Sequence, residues 1–354
     1  MAKVLMKGNE AIAEAAIAAG CLYYFGYPIT PQTEIAEYMA KRMPKVGGLC
    51  LQAESEIAAV NMLLGASASG TRAMTSSSSP GISLKSEGIS YLVGSDLPAV
   101  VVNVQRGGPG LGGIQPSQAD YYQATKAYGH GDMRLIVLAP STVQEMASLT
   151  GEAFDLADIY RTPVIILADG AIGQMMEPVD FSETRRRELP PKDWATCGHG
   201  GKRKHNIVNS LLMNPEDLER SIHDRFERYR KIEENEVKFE EYMTDDADIV
   251  CVAFGIAARI CKSAIAAVRS RGIKAGLLRP ITLSPFPSRE IRALADTAKA
   301  FLSVELSMGQ MVTDVKLACE CRRPVDFYGR TGGVLPSPAD VASKLEAMAR
   351  ELNI

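Results

Sequence analysis

The chain has 354 residues, of which 46% are hydrophobic and 6% aromatic, and its formal net charge is −3. This length favours two domains with enough apolar material for buried cores, and the balanced charge argues against a chain-wide nucleic-acid-binding surface. No apolar run reaches the roughly 18 residues that span a bilayer, and acidic residues interrupt the apolar N-terminal stretch, so we predict no signal peptide.

The first half of the chain alternates short β-branched runs with helical stretches. Residues 98–104, 134–139 and 163–169 are largely apolar, β-branched runs typical of buried parallel strands. Residues 55–70 and 141–160 are predicted helices, and the second should begin at a Ser or Thr N-cap. This alternation predicts an open α/β domain over residues 1–182.

A polar and basic connector is predicted over residues 183–245. Its first part is rich in Gly, Pro and basic residues and reads as a loop, whereas residues 214–243 have the pattern of one long charged helix with a narrow apolar stripe. A solvated face is the simpler interpretation of these charges, and a brace between subunits is the alternative. The basic character of residues 183–213 has no explanation in the sequence.

A second α/β unit is predicted over residues 246–354. A helix over 256–272 ends at a glycine, and the strand candidates are residues 247–255, 273–281, 298–306 and 324–329. The fold class is therefore α/β, with two open parallel-sheet domains joined by the connector.

The cysteines and histidines do not suggest a metal site. Seven scattered cysteines, mostly in apolar contexts, are typical of buried thiols in a reducing cytoplasm. Cys319 and Cys321 form C-x-C without an accompanying C-x-x-C, which favours a structural role over an iron–sulfur cluster or zinc. The four histidines lack metal spacing, and a structural role is favoured for His130, which lies in a predicted turn.

Ligands of parallel α/β sheets collect at the carboxyl ends of the strands, and the segment GYPITP follows an apolar run there. Pro28 and Pro31 fix their own φ angles and push Tyr27 and Thr30 toward extended conformations. Thr30 would then present its hydroxyl from a rigid loop just before a helix, where backbone N–H groups favour an anion. An ordinary strand-to-helix turn is the alternative interpretation.

Two further segments carry candidate polar groups. Glu54 and Glu56 stand between an apolar strand and an apolar helix, where a carboxylate is either an exposed helix-dipole partner or a buried functional acid. The run TSSSSPGIS, residues 75–83, is predicted to be a hydroxyl-rich loop able to bind a polar ligand, although a flexible solvated loop fits equally well.

The segment 102–120 follows the strongest strand signal. Arg106 stands at the strand end and could pair with a carboxylate through both arms of its guanidinium. Five glycines follow within residues 107–113, which lets the backbone approach a ligand closely. The spacing matches neither a P-loop nor a dinucleotide fingerprint, and a mobile lid is the alternative.

Taken in order, these segments resemble one family from end to end. GYPITPQTE, QAESEIAAVNMLLGA, TSSSSPGISL, QRGGPGLGGIQPSQADYYQA and VELSMGQM are similar to the α-type subunits of 2-oxoacid:ferredoxin oxidoreductases. Within the family, the chain looks most like the subunits of enzymes that act on 3-methyl-2-oxobutanoate, and those that act on 2-oxoglutarate are close neighbours.

The resemblance implies thiamine diphosphate chemistry and an oxidative decarboxylation that yields acyl-CoA and CO₂, with electrons passed to ferredoxin. Residues 1–182 would be the pyrimidine-binding domain, and residues 246–354 would resemble the transketolase C-terminal domain. The family glutamate that shares a proton with the aminopyrimidine maps to Glu56, because Glu56 precedes Gly65 by the family spacing of nine positions in an Ala-rich helix.

The family likeness also implies which residues hold the ligands. The threonine and arginine that bind the substrate carboxylate in related pyruvate enzymes map to Thr30 and Arg106. Cofactor contacts are expected from Tyr27, Pro28, Ile29 and Ser78.

One element of such enzymes is missing from the sequence. Thiamine diphosphate enzymes anchor the diphosphate and Mg²⁺ with a G-D-G…N motif, whereas here Gly131 and Asp132 are followed by Met133. The resemblance therefore implies half an active site, completed by a β-type subunit that holds the diphosphate and Mg²⁺. Small ferredoxin-like and γ-type subunits, with the iron–sulfur clusters on partner subunits, would complete a heteromer. A non-catalytic scaffold that keeps the fold only for assembly is the alternative from another functional class.

Overall fold

A computed structural model of the chain describes residues 3–183 and 187–354. Part of the predicted connector, residues 184–186, thus lies outside the described residues. Numbered in chain order, the strands are β1 Val4–Lys7, β2 Tyr23–Gly26, β3 Leu49–Gln52, β4 Ala73–Ser77, β5 Ala99–Gln105, β6 Ile136–Leu138, β7 Pro163–Asp169, β8 Met176–Val179, β9 Phe239–Tyr242, β10 Ile249–Val252, β11 Ala275–Pro280, β12 Thr282–Ser284, β13 Ala300–Glu305 and β14 Val325–Gly329.

Helices alternate with these strands through most of the chain. They are α1 Gly8–Ala18, α2 Thr33–Arg42, α3 Glu56–Ala68, α4 Ser79–Gly94, α5 Tyr121–Lys126, α6 Val143–Tyr160, α7 Gly170–Gln174, α8 Pro215–Asn235, α9 Gly255–Arg269, α10 Ser288–Thr297, α11 Met311–Ala318 and α12 Pro338–Glu351. Thr142 caps α6 by accepting a hydrogen bond from the N–H of Glu145, as the sequence predicted.

Two open sheets dominate the architecture. The first has the strand order β12-β6-β7-β5-β4-β2-β3 and is parallel except for β12, and the second has the order β14-β13-β10-β11-β9 and is parallel except for β9. A short antiparallel pair, β1 with β8, stands apart from both. The predicted α/β class with two parallel-dominated sheets is confirmed.

Both faces of the first sheet are covered by apolar side chains, as expected for continuous buried strands. One core holds residues of α3 and α4 and continues under the second sheet to Phe254 and Phe301. The opposite core includes Ile12, Met39 and Phe154 of the helices on the other face. The two sheets therefore share one continuous hydrophobic core.

Two edge strands pair across the predicted domain boundaries. β9 lies within the predicted connector and pairs with β11 of the second sheet. β12, which follows residue 246, pairs with β6 of the first sheet through Thr282–Leu138 and Ser284–Val137. The boundaries at residues 182 and 245 stay predictions.

The hydroxyl-rich loop predicted over residues 75–83 is wrong. Thr75 to Ser77 lie in β4, which pairs with β2 and β5, and Ser78 is the N-cap residue of α4. Pairing with Val101 to Asn103 of β5 places these three residues in the sheet. Pro80 falls in the first turn of α4, where its missing N–H costs no helical hydrogen bond.

Basic side chains of the connector bind acidic residues of α6 and the glutamate that follows α8. Arg187 contacts both Glu152 and Glu236, and Lys192 pairs with Asp158. These ion pairs account for Arg187 and Lys192, because each of the two side chains meets a carboxylate on the layer that it crosses.

Gln118 ties the two sheets together just after the glycine-rich segment. Its fully buried side-chain amide donates to the carbonyl of Phe254 at 2.9 Å and accepts from the N–H of Leu306 at 3.1 Å. These partners follow β10 and β13, so Gln118 joins the carboxyl end of the first sheet to that of the second. We call this junction the seam.

Candidate functional site

A pocket of about 480 Å³ opens at the carboxyl end of the first sheet. It lies where β2, β5, α3 and α4 converge, which is the position that parallel sheets use for ligands. Six predicted site residues meet there with five that the sequence did not single out. The lining residues are Tyr27, Pro28, Ile29, Thr30, Thr33, Glu56, Pro80, Gly81, Leu84, Arg106 and Leu111.

The loop between β2 and α2 is fixed from behind by buried amides. Gln32 donates to the carbonyl of Tyr27 at 3.3 Å and accepts from the Ser76 hydroxyl at 2.5 Å, while Asn9 donates to the carbonyl of Pro31 at 2.8 Å. Thr30 itself is exposed and faces the pocket. Within the described part of the chain, its hydroxyl makes no recorded hydrogen bond, so it can bind a ligand.

Glu56 is the first residue of α3. Ser55 caps the helix by accepting the N–H of Ala58 at 3.1 Å, which turns the first helical residue toward the pocket. The residue is only 6% exposed, and no hydrogen bond to its carboxylate is recorded in residues 3–183 and 187–354. A buried carboxyl with no protein partner is able to exchange a proton with a ligand.

A glycine makes room for this carboxylate. A Cβ atom at Gly81 would lie 2.5 Å from Oε1 of Glu56 and 2.2 Å from the Ser77 hydroxyl oxygen. The first turn of α4 therefore passes directly beside the acid, and no larger residue fits there without moving it.

Arg106 follows β5 and is 7% exposed. Its Nη1 donates to the carbonyl of Thr30 at 3.0 Å, and its Nη2 donates to the carbonyl of Leu111 at 3.1 Å. The guanidinium thus fastens the loop before α2 to the glycine-rich segment. Its Nε–H is buried without a partner in the described residues, so an edge of the guanidinium stays available to an anion.

The backbone of Arg106 is held, through Ser79, by the half-buried carboxyl of Asp120. The Ser79 hydroxyl accepts the N–H of Arg106 at 3.0 Å and donates to Asp120 at 2.6 Å, and Asn103 also donates to Asp120. Burial raises the pKa of the Asp120 carboxyl, while these hydrogen bonds act in the opposite direction. Asp120 sets the position of Arg106 without lining the pocket itself.

Ser78 differs from the other predicted site residues. It is fully buried, its hydroxyl has no partner in the described part of the chain, and it is absent from the pocket lining. Its contact with a cofactor stays a prediction.

Sequence reasoning missed the contribution of α4. Pro80, Gly81 and Leu84 reach the pocket because residues three and four apart share one face of a helix. The signal was available as the helical spacing of SPGISL, but the serine run pointed to a loop instead. Leu111 is 84% exposed on the glycine-rich segment. It was overlooked because the glycines around it drew the interpretation toward the backbone.

A larger groove of about 760 Å³ lies elsewhere, between α8, α10 and α11. It is lined by side chains of both charges, including Arg134, Glu233, Arg292 and Asp314, and it contains none of the predicted site residues. The convergence of the predicted residues makes the smaller pocket the candidate site.

Within the described residues, there is no cluster of three His, Cys, Asp or Glu side chains suited to a metal ion. No helix in the same residues combines the length and apolar character needed to cross a membrane.

Two family models together match most of the chain. Residues 14–242 match the model described as pyruvate flavodoxin/ferredoxin oxidoreductase, thiamine diphosphate-binding, and residues 247–341 match pyruvate:ferredoxin oxidoreductase core domain II. The first match contains every residue that lines the pocket.

Curated relatives are similar over the whole length. The ketoisovalerate oxidoreductase subunit VorB of Methanothermobacter marburgensis is 52% identical over 100% of both chains. The 2-oxoglutarate synthase subunit KorA of Archaeoglobus fulgidus is 38% identical over 92% of this chain and 94% of its own length.

Solved structures share the fold. A 2-oxoglutarate:ferredoxin oxidoreductase from Magnetococcus marinus, with 2-oxoglutarate, coenzyme A and succinyl-CoA bound, superposes with a TM-score of 0.87 at 26% identity. The match covers 98% of this chain and 65% of that one. A split-gene transketolase, at 14% identity and a TM-score of 0.60 over 97% of both chains, shows the likeness of the fold alone.

Proposed function

The chain belongs to the 2-oxoacid:ferredoxin oxidoreductase family as an α-type subunit of a thiamine diphosphate-dependent enzyme, and from this premise we propose that its complex oxidatively decarboxylates 3-methyl-2-oxobutanoate. The observation that carries the proposal is the convergence of Glu56, Thr30 and Arg106 on one pocket whose other walls are largely apolar. A scaffold without catalytic function would not require this combination.

The pocket fits the aminopyrimidine half of thiamine diphosphate. Glu56 offers a buried carboxylate that has no hydrogen-bond partner among the described residues, and Tyr27, Pro28, Ile29 and Pro80 offer a largely apolar wall. When bound, the cofactor supplies the carbanion chemistry that a side chain cannot. The role of Glu56 is to hold and exchange one proton at its carboxylate, facing the pyrimidine ring. Ile29 would pack on that ring, and Ser78, which does not line the pocket, is also expected to contact the cofactor.

Thr30 and Arg106 would bind the carboxylate of the 2-oxoacid. Thr30 supplies a hydroxyl that makes no protein hydrogen bond in the described residues, and Arg106 supplies a guanidinium edge that includes an unpartnered Nε–H. Both are held before the substrate arrives, so little entropy is lost on binding. Because Arg106 also ties the two loops together, the site is preorganised by the residue that recognises the anion.

The chemistry of the pocket favours a short branched substrate. Arg106 is the one cationic side chain among the described residues that line it, while Leu84, Leu111 and Ile29 provide apolar contacts. The second carboxylate of 2-oxoglutarate would meet no partner from this chain, at a cost of several kcal/mol. The 52% identity to a ketoisovalerate oxidoreductase subunit supports the same choice, and 2-oxoglutarate is the alternative that the KorA relatives favour.

The remaining parts of the enzyme would come from partner subunits. We expect a β-type subunit to hold the diphosphate and Mg²⁺, and small ferredoxin-like and γ-type subunits to complete the complex, with iron–sulfur clusters on partners relaying electrons to ferredoxin. Coenzyme A would accept the acyl group. Residues 1–182 and 246–354 would form the pyrimidine-binding and transketolase C-terminal-like domains, joined by residues 183–245. Seven free thiols support a cytoplasmic location.

The test is a substrate comparison in the complex co-expressed with its partner subunits. We expect kcat/KM for 3-methyl-2-oxobutanoate to exceed that for 2-oxoglutarate by at least about 100-fold, because an unpaired carboxylate would be buried. A preference for 2-oxoglutarate would overturn the substrate assignment.

The catalytic role of Glu56 needs a separate pair of variants. Glu56→Gln should lose nearly all activity, whereas Glu54→Gln, which changes an exposed glutamate two residues away, should retain it. Full activity of the Glu56→Gln complex would contradict the mechanism and favour a non-catalytic scaffold role for this chain.

A further inference from the structure

The segment VELSMGQM, residues 304–311, has no role in the proposed function, although it runs from the end of β13 into α11 at the seam. Within it, Glu305 is fully buried and accepts hydrogen bonds from the hydroxyls of Ser303 and Ser307, each at 2.9 Å. The same carboxylate accepts the backbone N–H groups of residues 310–312 at 2.9 to 3.0 Å. These bonds satisfy the free N–H groups at the start of α11 and fix its first turn to the second sheet.

Gln310, which immediately precedes α11, reaches across the seam from this fixed position. Its side-chain amide donates to the carbonyl of Ala119 at 2.7 Å, and its amide oxygen accepts the N–H of Tyr122 at 2.7 Å. A glutamine can satisfy a donor and an acceptor at once. The main chain is therefore held on both sides of Asp120.

Asp120 links this held segment to the pocket. Its carboxylate accepts a hydrogen bond from the Ser79 hydroxyl at 2.6 Å, and the Ser79 oxygen accepts the N–H of Arg106 at 3.0 Å. The side chain of Arg106 lines the pocket. A path of short hydrogen bonds thus leads from Gln310, beside the second sheet, to the arginine that faces the ligand.

A purely structural role in closing the seam is the simpler interpretation of Gln310. Two other contacts already fasten the same segment to α11, because the hydroxyl of Tyr121 donates to Asp314 at 2.5 Å and that of Tyr122 lies 2.7 Å from the hydroxyl of Thr313. Those contacts hold side chains. Gln310 instead holds the main chain next to the carboxyl that positions the pocket arginine, which favours a role in the site.

We propose that Gln310 is a positioning residue for the substrate-binding guanidinium of Arg106, a proposal that rests on the proposed function. By holding the main chain around Asp120, it fixes Ser79 and, through Ser79, the backbone of Arg106. Side chains of β5 also bond to Asp120, so the loss of Gln310 should loosen Arg106 without releasing it. Glu56 lies outside this path, so the effect should fall on substrate affinity and spare the proton exchange at Glu56.

The first test measures KM and kcat for the preferred 2-oxoacid in the complex with its partner subunits. Gln310→Met keeps the size of the side chain and removes both hydrogen bonds, so KM should rise roughly five- to tenfold while kcat changes less than about twofold. Thr313→Val is the matched control, because it removes an exposed contact of the same helix with the Tyr122 side chain and leaves the backbone bonds in place. An unchanged KM in Gln310→Met overturns the proposal.

A double-mutant cycle shows whether the effect passes through the guanidinium. In the Arg106→Lys background, Gln310→Met should raise KM by less than about twofold, because the interaction that Gln310 supports is already lost. An equal rise in both backgrounds would mean that Gln310 acts elsewhere, and it would also overturn the proposal.

A second readout does not depend on activity. Hydrogen exchange at the Arg106 backbone amide, followed by mass spectrometry of the full chain, should become at least about threefold faster in Gln310→Met and stay unchanged in Thr313→Val. If Gln310→Met fails to fold, Gln310→Asn, whose shorter side chain cannot reach both partners, should show the same changes. Unchanged exchange overturns the proposal. If Arg106→Lys leaves KM unchanged while the exchange is faster, the substrate role of Arg106 fails and its positioning by Gln310 stands.

Discussion

Lys85 is a fully buried lysine on α4 whose Nζ donates to the Thr75 hydroxyl at 2.9 Å, and it should give this chain an unusual dependence of stability on pH. In the unfolded chain Lys85 has its ordinary pKa of 10.5, whereas burial lowers the value to about 8 in the folded chain. Between these two values the unfolded state binds more protons, so stability rises with pH. The difference corresponds to about 3 kcal/mol, which is the penalty that the folded chain bears below pH 8 and loses by pH 10.5.

Replacing Lys85 with methionine removes this penalty at neutral pH. We expect the Lys85→Met chain to be more stable than the original by up to about 3 kcal/mol at pH 7, reduced by about 1 kcal/mol for the lost bond to Thr75. The advantage should shrink steadily from pH 8 upward. Other titrating groups are common to both chains and cancel in the difference.

Urea unfolding at pH 7, 8, 9 and 10 can follow this difference through the fluorescence of Trp194, the single tryptophan, which packs against the same core. Lys262→Met supplies the control, because its lysine is one-third exposed and its difference from the original chain should stay flat. A constant difference between the Lys85→Met and original chains across this range would refute the reasoning.

Three further predictions concern residues that shape the site and the seam. Gly81→Ala should lower kcat more than tenfold with little change in thermal midpoint, because its Cβ would displace the Glu56 carboxylate. The control is Gly65→Ala, where a Cβ meets nothing within 4 Å. A wild-type kcat for Gly81→Ala would contradict this picture. Arg106→Lys should raise KM for the 2-oxoacid about 10- to 100-fold, because an ammonium group replaces a guanidinium that also holds the carbonyls of Thr30 and Leu111. An unchanged KM would show that Arg106 does not bind the substrate. Gln118→Ala should cost about 1–3 kcal/mol by leaving the buried groups of Phe254 and Leu306 unpaired, and a calorimetric midpoint equal to that of the original chain would disprove it.

Much of the architecture was predictable because the signals were local. The runs at 98–104 and 163–169 became β5 and β7, because short apolar runs rich in valine and isoleucine favour a strand buried on both faces. The site loops were recognisable for the same reason, because the paired prolines in GYPITP restrict the backbone while the clustered glycines after Arg106 let it approach a ligand closely.

The remainder depended on partners distant in sequence. Ser76 and Ser77 became part of a strand because they pair with β5, and nothing local reveals that neighbour. The role of Arg106 in fastening two loops could not be predicted, because its acceptors are backbone carbonyls that any residue carries. Lys85 gave no signal, since a lysine in a helix is normally solvated.

The exchange of strands between the sheets limits how this subunit can be recombined. A strand from the second half closes the first sheet, and a strand from the connector closes the second. A crossover between two relatives placed at residue 245 would therefore match each sheet with a foreign edge strand, although it falls in a gap between family matches. Chimeras that exchange substrate preference should instead take residues 239–284 from the parent that supplies the first half. The edge pairs β9 with β11 and β12 with β6 then each come from one parent.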